Sequence, residues 1–253
     1  MTGALQGRRL FVAGAASGIG LACAARLADD GARIGCFDRD GAELDRLPGL
    51  LSAASEIVVI RGDVSSSSDV TAVDRTAEAL GGLDGVINCA GIDLLSPLEE
   101  TTDADWRRIF AVNLDGPMHV CRAALRHVRE AGGGTIVNVS SGAGLQPLKH
   151  RSAYSSSKAA LQMFIKALAM EAAEWSIRAN AVGPGAVETG LLAASFFAVA
   201  DPDAARDTVR ARYALARIVD PDEIAAAIVW LSGQESSYVT GIAMAVDGGR
   251  TSH

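Results

Sequence analysis

Hydrophobic residues follow two alternating patterns along almost the whole chain. Short apolar runs of strand length alternate with longer stretches in which apolar residues recur at helical spacing. The runs that predict strands are Arg9–Ala13, Arg33–Asp38, Glu56–Arg61, Gly85–Cys89, Thr135–Val139, Ile177–Val182 and Ala243–Val246. The stretches that predict helices include Leu21–Asp30, Ser67–Leu80, Asp103–Glu130, Tyr154–Trp175 and Pro221–Ser232. Such alternation is typical of an α/β fold, in which helices cover both faces of a parallel sheet.

The chain has no break in composition that would separate two domains. It contains no repeat and no low-complexity linker, and 253 residues suit one large domain. We therefore predict a single α/β domain over residues 1–253, built on a doubly wound parallel sheet of seven strands. Within residues 191–213 lies an apolar cluster of Leu191, Leu192, Phe196 and Phe197. Such a cluster suits a lid over a bound ligand, so we predict a mobile substrate lid there.

Composition and charge narrow the class of protein. Hydrophobic residues make up 49% of the chain and charged residues 21%, which is ordinary for a soluble globular protein. The net charge of −7 argues against a nucleic-acid partner, because such partners favour a basic surface. No apolar run is long enough to span a bilayer, and the N-terminus lacks the apolar core of a signal peptide. We therefore predict a cytoplasmic protein without a membrane partner.

The four cysteines, Cys23, Cys36, Cys89 and Cys121, are widely spaced and lie mostly in apolar surroundings. No Cys-x-x-Cys motif and no Cys/His cluster occurs in the sequence. This pattern favours buried, reduced thiols over disulfides, and it predicts no metal site.

The first predicted strand leads directly into a glycine-rich turn, Gly14-Ala-Ala-Ser-Gly18-Ile-Gly20, and a helix follows. Glycines at such a turn permit tight backbone geometry and let a pyrophosphate approach the helix N-terminus. The spacing differs from the widely quoted G-x-G-x-x-G, and by itself it fits an ordinary glycine turn equally well. Its place between the first strand and the first helix favours dinucleotide binding. The candidate residues of this turn are Gly14, Ser17, Gly18, Ile19 and Gly20.

The second predicted strand ends in an acid, Asp38. A carboxylate there can accept hydrogen bonds from both ribose hydroxyls of an adenosine, and it would repel a 2′-phosphate. Ser17 adds no positive charge to the glycine turn. These features predict NAD rather than NADP, although the adjacent Arg39 could accommodate a 2′-phosphate. Without a cofactor, Asp38 would be a turn residue or a helix cap.

Polar residues also follow the next two strands, as Asp63-Val64 and Asn88-Cys-Ala90-Gly91. Ligands of doubly wound sheets bind beyond the carboxyl ends of the strands, so these residues are candidates for the same cofactor site. Asn113 lies in an apolar helical stretch, where asparagine is a mediocre helix former. It has either a specific role at the site or the plainer one of a buried amide that links elements.

Tyr154 and Lys158 are four residues apart, so they share one face of the predicted helix. An undisturbed phenol titrates near pH ~10, and a neighbouring ammonium favours the phenolate and lowers that pKa. The pair therefore predicts a tyrosine acid/base. Ser141, thirteen residues before Tyr154, could donate a hydrogen bond to an oxygen that gains charge in the transition state. Taken alone, the Tyr/Lys pair more often marks a serine-rich helix start with a surface lysine.

In this order and spacing the chain resembles the short-chain dehydrogenase/reductase family over essentially its whole length. Agreement across several motifs supports the resemblance more strongly than any single motif. The matching residues are Gly14-x-x-x-Gly18-Ile19-Gly20, Asp63-Val64, Asn88-x-Ala90-Gly91, Asn113, Ser141, Tyr154-x-x-x-Lys158, Asn180-Ala-Val-Gly-Pro184-Gly185-Ala-Val187-Glu-Thr189, Tyr238-Val-Thr-Gly241 and Val246-Asp-Gly-Gly249. The resemblance implies a Rossmann-type fold and a nicotinamide cofactor, and Asp38 favours NAD.

The resemblance also assigns roles to the site residues. Tyr154 would exchange a proton with the substrate oxygen while hydride passes between the substrate carbon and the nicotinamide. Lys158 would lower the pKa of the tyrosine and bind the nicotinamide ribose, and Asn113 would position a water that relays protons to Lys158. Ser141 would hold the substrate oxygen, and it is preferred over Ser140 because it matches the family's Ser-x-x-Gly. Further cofactor contacts implied are Asp63, Val64, Asn88, Ala90, Gly91, Pro184, Gly185, Val187 and Thr189.

Two positions depart from the family pattern. Ala13 replaces the usual threonine before the first glycine, and Cys89 replaces the second asparagine of Asn-Asn-Ala-Gly. Both substitutions affect residues that support the loops, so they bear on loop rigidity and leave the reacting groups unchanged.

The resemblance further implies a homotetramer or a homodimer. Its interfaces would lie on the helices Asp103–Glu130 and Tyr154–Trp175 and on the C-terminal strand. The apolar residues of these helices that would serve a core or an interface equally well are Trp106, Met163, Phe164 and Met170.

The substrate is the least constrained part of the prediction. Its pocket walls are expected at Ile92–Ser96, at Ala143–His150 and in the lid over residues 191–213. Arg151 is a candidate to bind an anionic substrate group such as a carboxylate. A surface or interface ion pair is the more frequent use of such an arginine. The candidate substrate residues are Ser141, Gln146, Arg151 and Tyr154.

Three functions are consistent with these residues. The leading one is reversible hydride transfer between NAD and a small or medium secondary alcohol or ketone, hydroxy acids included, with Tyr154 as general acid/base. The second is an NADP-dependent ketoreductase such as a 3-oxoacyl-thioester reductase, which Asp38 disfavours. The third is a non-catalytic dinucleotide-binding sensor, which would not need Ser141, Tyr154 and Lys158 together.

Overall fold

Seven parallel strands form one sheet in the computed structural model, which describes residues 5–51, 53–54, 56–196 and 201–252. Their order across the sheet is β3-β2-β1-β4-β5-β6-β7. The strands are β1 (Arg9–Ala13), β2 (Arg33–Asp38), β3 (Glu56–Arg61), β4 (Gly85–Asn88), β5 (Gly134–Val139), β6 (Ile177–Pro184) and β7 (Ala243–Val246). Strand order reverses between β1 and β4, so a crevice lies beyond their carboxyl ends.

Helices connect successive strands and cover the sheet on both sides. The α-helices in the described part of the chain are α1 (Gly18–Asp29), α2 (Gly41–Leu44), α3 (Leu47–Leu50), α4 (Ala72–Leu80), α5 (Asp103–Phe110), α6 (Gly116–Glu130), α7 (Ser152–Ala172), α8 (Gly190–Ala194), α9 (Pro202–Arg210) and α10 (Pro221–Ser232). The helix starts follow sequence rules: α5 and α10 both begin with reciprocal capping boxes, formed by Thr102 with Asp105 and by Asp220 with Glu223.

Successive residues of the central strand point to opposite faces and enter two separate cores. Leu10 and Val12 pack on the side of α1 and α10, whereas Phe11 and Ala13 pack on the side of α4, α6 and α7. A strand that is apolar on both faces needs cover on both faces, and this explains why its sequence lacks a polar alternation. The prediction of a doubly wound parallel sheet is confirmed.

Most element boundaries lie within two residues of their predicted positions, but the helix predicted over Asp103–Glu130 is interrupted. Residues Ala111–Asp115 form a π-helical turn between α5 and α6. Pro117 supplies a physical reason, because it has no N–H to donate to the carbonyl of Asn113, its α-helical partner. The helix predicted from Ser67 begins with a short 3₁₀ turn. The helices α2, α3, α8 and α9 were not predicted, because their apolar patterns are too short to show helical periodicity.

Several large apolar side chains remain on the surface of the single chain. Trp106 is 37% exposed, Met163 64% and Met170 83%, whereas Phe164 packs against the core. The first three therefore do not belong to the core of this chain. No helix in the described ranges has both the length and the apolarity needed to cross a bilayer.

Candidate active site

The turn between β1 and α1 brings backbone from several segments into close contact. Gly14 has a φ of +76° and Gly18 a φ of +51°, conformations that favour glycine. A Cβ at Gly14 would lie 2.5 Å from the amide nitrogen of Ala90, and one at Gly20 would collide with the carbonyl oxygen of Gly14. Ser17, the N-cap residue of α1, makes no side-chain cap hydrogen bond, so the helix N-terminus keeps free N–H groups. This glycine-rich cradle at a helix N-terminus fits the pyrophosphate of a dinucleotide.

The acid at the end of β2 is fixed beside this turn. Asp38 accepts hydrogen bonds from the N–H of Ala16 at 3.0 Å, through Oδ2, and from the N–H of Asp40 at 3.1 Å, through Oδ1. Arg39 is exposed, and its carbonyl accepts a hydrogen bond from Nε of Arg61 at 3.2 Å. The carboxylate of Asp38 and the side chain of Arg39 thus border one space at the adenosine end of the crevice.

Two cavities lie in the crevice, and we name each after residues that line it. The glycine-turn cavity is lined by most of the residues predicted to bind the cofactor: Gly14, Ser17, Gly18, Ile19, Gly20, Asp38, Arg39, Asp63, Val64, Ala90, Gly91 and Thr189. The tyrosine cavity is lined by Ser141, Tyr154, Lys158, Pro184, Gly185, Val187 and Thr189, among others. The two cavities share Ile19, Cys89, Gly91, Thr189 and Leu191. The two cavities therefore adjoin each other along the carboxyl ends of the strands.

Three predicted residues line neither cavity, namely Asn88, Gln146 and Asn113, which lies in the π-helical turn. Asn88 is buried beneath the crevice and donates a hydrogen bond through Nδ2 to Oδ1 of Asn138 at 2.9 Å. Gln146 has an exposed side chain, and its carbonyl oxygen accepts a hydrogen bond from Nη2 of Arg250 at 2.7 Å. The geometry therefore makes Asn88 a support between β4 and β5, and it brings only the backbone of Gln146 near the pocket wall.

Tyr154 and Lys158 share one face of α7, as their spacing predicts, but their environment was not predictable from spacing. Lys158 is buried, and its Nζ donates a hydrogen bond to the carbonyl of Val139 at 3.0 Å. Nζ lies 5.9 Å from the ring centre of Tyr154. Burial lowers the pKa of Lys158 to about 8.

The expectation that Lys158 lowers the pKa of Tyr154 is not met in this structure. Burial raises the pKa of Tyr154 to about 12, because it disfavours the phenolate. A hydrogen bond with Ser141 and the charge of Arg151 act in the opposite direction, and the charge of Asp93 adds to the rise. The sequence predicts a neighbouring lysine, but it does not predict the burial that raises the pKa of the phenol.

The hydroxyls of Ser140 and Ser141 have different partners. Ser141 Oγ accepts a hydrogen bond from the N–H of Ala143 at 3.0 Å and reaches the phenol of Tyr154. Ser140 Oγ donates to the carbonyl of Lys158 at 2.9 Å and is therefore committed to the backbone of α7. This arrangement agrees with the preference for Ser141.

Gln162 was missed by sequence reasoning, although it belongs to the same helix face. Its Nε2 donates to Ser140 Oγ and to the carbonyl of Ser141, both at 3.0 Å. The side chain is buried and ties the loop after β5 to α7. Its position four residues after Lys158 could have indicated this role. A polar side chain on the inner face of a helix needs a hydrogen-bond partner.

Asn113 lies fully buried in the π-helical turn. Its Oδ1 accepts the N–H of Ile92 at 2.9 Å, and its Nδ2 donates to the carbonyl of Ile92 at 2.9 Å and to Ser157 Oγ at 3.1 Å. A Cβ at Gly91 would lie 3.2 Å from Lys158 Nζ and 3.4 Å from Asn113 Oδ1, so both groups border this glycine. The amide thus links three segments around the site, and its role in a water relay stays a prediction.

Arg151 forms an ion pair in the wall of the tyrosine cavity. Its Nε lies 2.7 Å from Oδ2 of Asp93, and the two side chains are only 13% and 18% exposed. Apolar residues, including Leu148, Leu191 and Leu192, complete much of the wall. Arg151 is paired with Asp93 in this structure. Binding of a substrate anion by Arg151 stays a prediction.

The predicted lid region contains α8 and α9. Leu191 and Leu192 of α8 border the tyrosine cavity, whereas Phe196 packs beneath the guanidinium of Arg206 at 5.4 Å. Phe197 lies outside the described residues. Closure of this segment over a ligand stays a prediction.

Comparison with known proteins places this geometry among related enzymes. A family model described as enoyl-(acyl carrier protein) reductase matches residues 14–251. The cis-4-hydroxycyclohexanecarboxylate dehydrogenase of Sinomonas cyclohexanicum is 39% identical over 247 residues, which is 96% of each chain. The structure of L-sorbose reductase from Gluconobacter frateurii with NADPH and L-sorbose has a TM-score of 0.94 at 28% identity and 100% coverage of both chains. A variant of actinorhodin polyketide ketoreductase with NADPH has a TM-score of 0.92 at 34% identity and 98% coverage of both chains.

The cradle, the paired cavities and these similarities define one class of protein, the nicotinamide-dependent oxidoreductases. The chain belongs to the short-chain dehydrogenase/reductase family. It is an oxidoreductase that acts on alcohol or ketone substrates.

Proposed function

We propose that the protein transfers hydride reversibly between NAD and a small or medium secondary alcohol, hydroxy acids included, with Tyr154 as general acid/base. The observation that supports this most directly is that the two cavities adjoin and share five lining residues. A dinucleotide in the glycine-turn cavity would extend toward Ser141, Tyr154 and Lys158 in the tyrosine cavity. A pure sensor would not need these three side chains around one space.

Each reacting side chain has a proposed task. When bound, the nicotinamide supplies or accepts the hydride. Tyr154 donates its proton to the oxygen of a ketone or takes the proton of an alcohol, and Ser141 donates a hydrogen bond to the same oxygen. The raised pKa keeps the proton on Tyr154 at neutral pH, and the neutral phenol is the form that reduction requires. Lys158 keeps a pKa of about 8, so at pH 7 it is largely protonated and its ammonium is available to bind the nicotinamide ribose.

The preference for NAD rests on Asp38. Both of its oxygens are held by backbone N–H groups, so the carboxylate stays at the adenosine end of the glycine-turn cavity. A 2′-phosphate there would face a fixed negative charge. The similarity to cis-4-hydroxycyclohexanecarboxylate dehydrogenase supports an alcohol that carries a carboxylate as one member of the substrate class.

An NADP-dependent ketoreductase is the second candidate, and Arg39 favours it. This exposed cation borders the same cavity as Asp38, and the two solved structures named above contain NADPH. Asp38→Asn separates the candidates, because it removes the charge and keeps the shape. We expect this variant to raise kcat/KM with NADP⁺ by about tenfold to hundredfold relative to NAD⁺. Asp45→Asn, which removes an equal charge from an exposed position, should leave the ratio unchanged.

The proposed function is tested by initial rates of NAD⁺ and NADP⁺ reduction over a panel of secondary alcohols, hydroxy acids, polyols and sterols. We expect turnover with NAD⁺ and a loss of at least about a thousandfold in kcat for Tyr154→Phe, since this change removes the proton carrier. Wild-type preference for NADP⁺ would favour the ketoreductase. Tight NADH binding, measured by nicotinamide fluorescence, without turnover of any substrate would favour the sensor.

A further inference from the structure

The tyrosine cavity has an excess of positive charge. Among the described residues that line it are four cations and one carboxylate, namely Lys158, Arg151, Arg212, Arg250 and Asp93. The remaining wall is largely apolar. A cavity of this composition favours an anion that carries an apolar body.

Two of the four cations already have a function or a partner. Lys158 belongs to the proposed acid/base pair, and Arg151 is paired with Asp93 at 2.7 Å. Arg212 and Arg250 form no ion pair with any carboxylate of the described residues. The excess charge therefore lies on these two arginines.

Arg250 is held in a fixed position although it forms no ion pair with a described carboxylate; the nearest one shown, that of Asp247, borders the same glycine, Gly142. Only 7% of Arg250 is exposed, and Nη2 donates to the carbonyls of Gln146 at 2.7 Å and Pro147 at 3.2 Å. Its Nη1 and Nε have no hydrogen-bond partner within the described part of the chain. Asp247, three residues earlier, uses its carboxylate oxygens for the N–H groups of Gly249 and Thr251. A buried guanidinium with unused N–H groups can bind an anion with little reorganisation.

Tyr213 brings Arg212 to the same wall. Its hydroxyl accepts the N–H of Ala186 at 2.7 Å, which fixes the segment after α9 against the loop that follows β6. Burial raises the pKa of the Tyr213 phenol and the charge of Asp247 adds to the rise, whereas the hydrogen bond with Ala186 and the charges of Arg250 and Arg212 act to lower it. Both guanidiniums are therefore near this phenol, one buried and one exposed at the rim.

We propose that Arg212 and Arg250 form an anion subsite that binds the carboxylate of a hydroxy acid, while the hydroxyl of the substrate lies at Tyr154. This inference rests on the proposed function, because it identifies the substrate class of the same cavity. Guanidinium groups match a carboxylate in charge and in hydrogen-bond geometry. Leu148, Leu192 and Val209 line the same cavity and suit the apolar body of such a substrate.

The kinetic test compares acids with neutral amides of equal shape, for example 3-hydroxybutyrate with 3-hydroxybutyramide and the longer members of both series. We expect Arg212→Ala to lower kcat/KM for the acids by about tenfold to hundredfold and to change the amides by less than about twofold. Arg212→Lys should recover part of the loss. Arg210→Ala is the matched control, because that arginine is exposed and already paired with Asp207 at 2.7 Å.

A binding test keeps the subsite separate from the chemistry. Calorimetric titration with hexanoate and hexanamide should detect hexanoate binding to the wild type, weaker binding to Arg250→Lys and none to Arg212→Ala at the same concentration. Thermal unfolding of each variant checks that the loop bound by Arg250 is intact. Hexanoate binding that requires Arg212, in a protein that turns over no alcohol, would support the subsite and reject the proposed function.

Two results would overturn the subsite while the proposed function stands. One is equal kcat/KM for acids and amides in the wild type, with no effect of Arg212→Ala on either series. The other is a selective loss of acid turnover in Arg151→Ala alone, which would assign the anion to the Asp93-paired arginine instead.

Discussion

Tyr154 lies one helical turn from Lys158, yet the two side chains do not form a phenolate–ammonium pair. Lys158 Nζ donates to the carbonyl of Val139, and the dominant effect on the phenol is burial. The pKa of Tyr154 is raised to about 12 and that of Lys158 is lowered to about 8. In both cases burial disfavours the charged form of the side chain. In the protein without a bound ligand, Tyr154 is therefore a neutral phenol at neutral pH.

This protonation state can be measured, because the chain contains only three tyrosines. We expect the tyrosinate absorbance that Tyr154→Phe removes to develop only near pH 12, about two units above an unperturbed phenol. The raised pKa keeps the proton on the folded protein as the pH rises through 10, where an unfolded tyrosine loses it. An ultraviolet difference titration of wild type against Tyr154→Phe gives this value. A tyrosinate that develops near pH 8 would mean that the ammonium outweighs burial.

Residue types and spacing predicted that Ser141, Tyr154 and Lys158 would come together, and the structure brings them to one cavity. Helical periodicity fixes the Tyr/Lys distance locally, so one sequence suffices for it. Arg250 could not be found in this way, because it comes from the segment after β7 and reaches the site only through the tertiary fold. The sequence also could not predict the pKa shifts of Tyr154 and Lys158, since these depend on how deeply each group is buried.

At the scale of elements, α7 and the loop after β5 are joined by Gln162. Two hydrogen bonds from one side chain connect the helix that carries Tyr154 to the segment that carries Ser141. The position of the Tyr154 phenol relative to the Ser141 hydroxyl therefore depends on the side chain of Gln162. Gln162 is a positioning residue in this arrangement.

Replacing Gln162 by leucine keeps most of its volume and removes both donors. We expect kcat to fall by about tenfold with the KM for the dinucleotide unchanged, because the loss falls on the Ser141 loop and not on the glycine turn. Steady-state rates with both substrates varied measure this split. Gln234→Leu makes the same chemical change at an exposed position and should have no effect. An unchanged kcat in Gln162→Leu would show that the loop is held by other contacts.

The π-helical turn shows why element boundaries are harder to predict than elements. Apolar periodicity continues through residues 103–130, so it predicts one helix. Pro117 locally interrupts the helical hydrogen bonds, and a π-helical turn forms there. Asn113 lies in this turn, and its side-chain amide forms hydrogen bonds with the loop after β4. The strands were predictable because burial on both faces leaves an unbroken apolar run for each of them.

At the scale of the whole molecule, the exposed methionines of α7 bear on assembly. Met163 and Met170 are seven residues apart, so they share one face of the helix, and both are more than half exposed. Large exposed apolar side chains grouped on one face are typical of an interaction surface. They support the homotetramer or homodimer that the family resemblance implies, which stays a prediction.

The double variant Met163→Glu, Met170→Glu places charges on this face. We expect it to reduce the mass in solution from that of an oligomer to a smaller species, because burying two unpaired carboxylates costs several kcal/mol. Sedimentation velocity measures the mass. Leu50→Glu, on the exposed side of α3, is the control and should retain the wild-type mass. A wild-type chain that sediments as a monomer would reject the predicted assembly.

The helix α7 has a consequence for how proteins of this architecture can diverge. Tyr154, Lys158 and Gln162 occupy successive turns of one continuous helix, so their mutual distances are set within a single rigid element. Much of the remaining wall of the tyrosine cavity comes instead from the loops and short helices that follow β4, β5, β6 and β7. Mutations in those loops can alter size, polarity and charge of the cavity without disturbing the helix. Selection can therefore explore new substrates while the spacing of Tyr154, Lys158 and Gln162 is inherited unchanged.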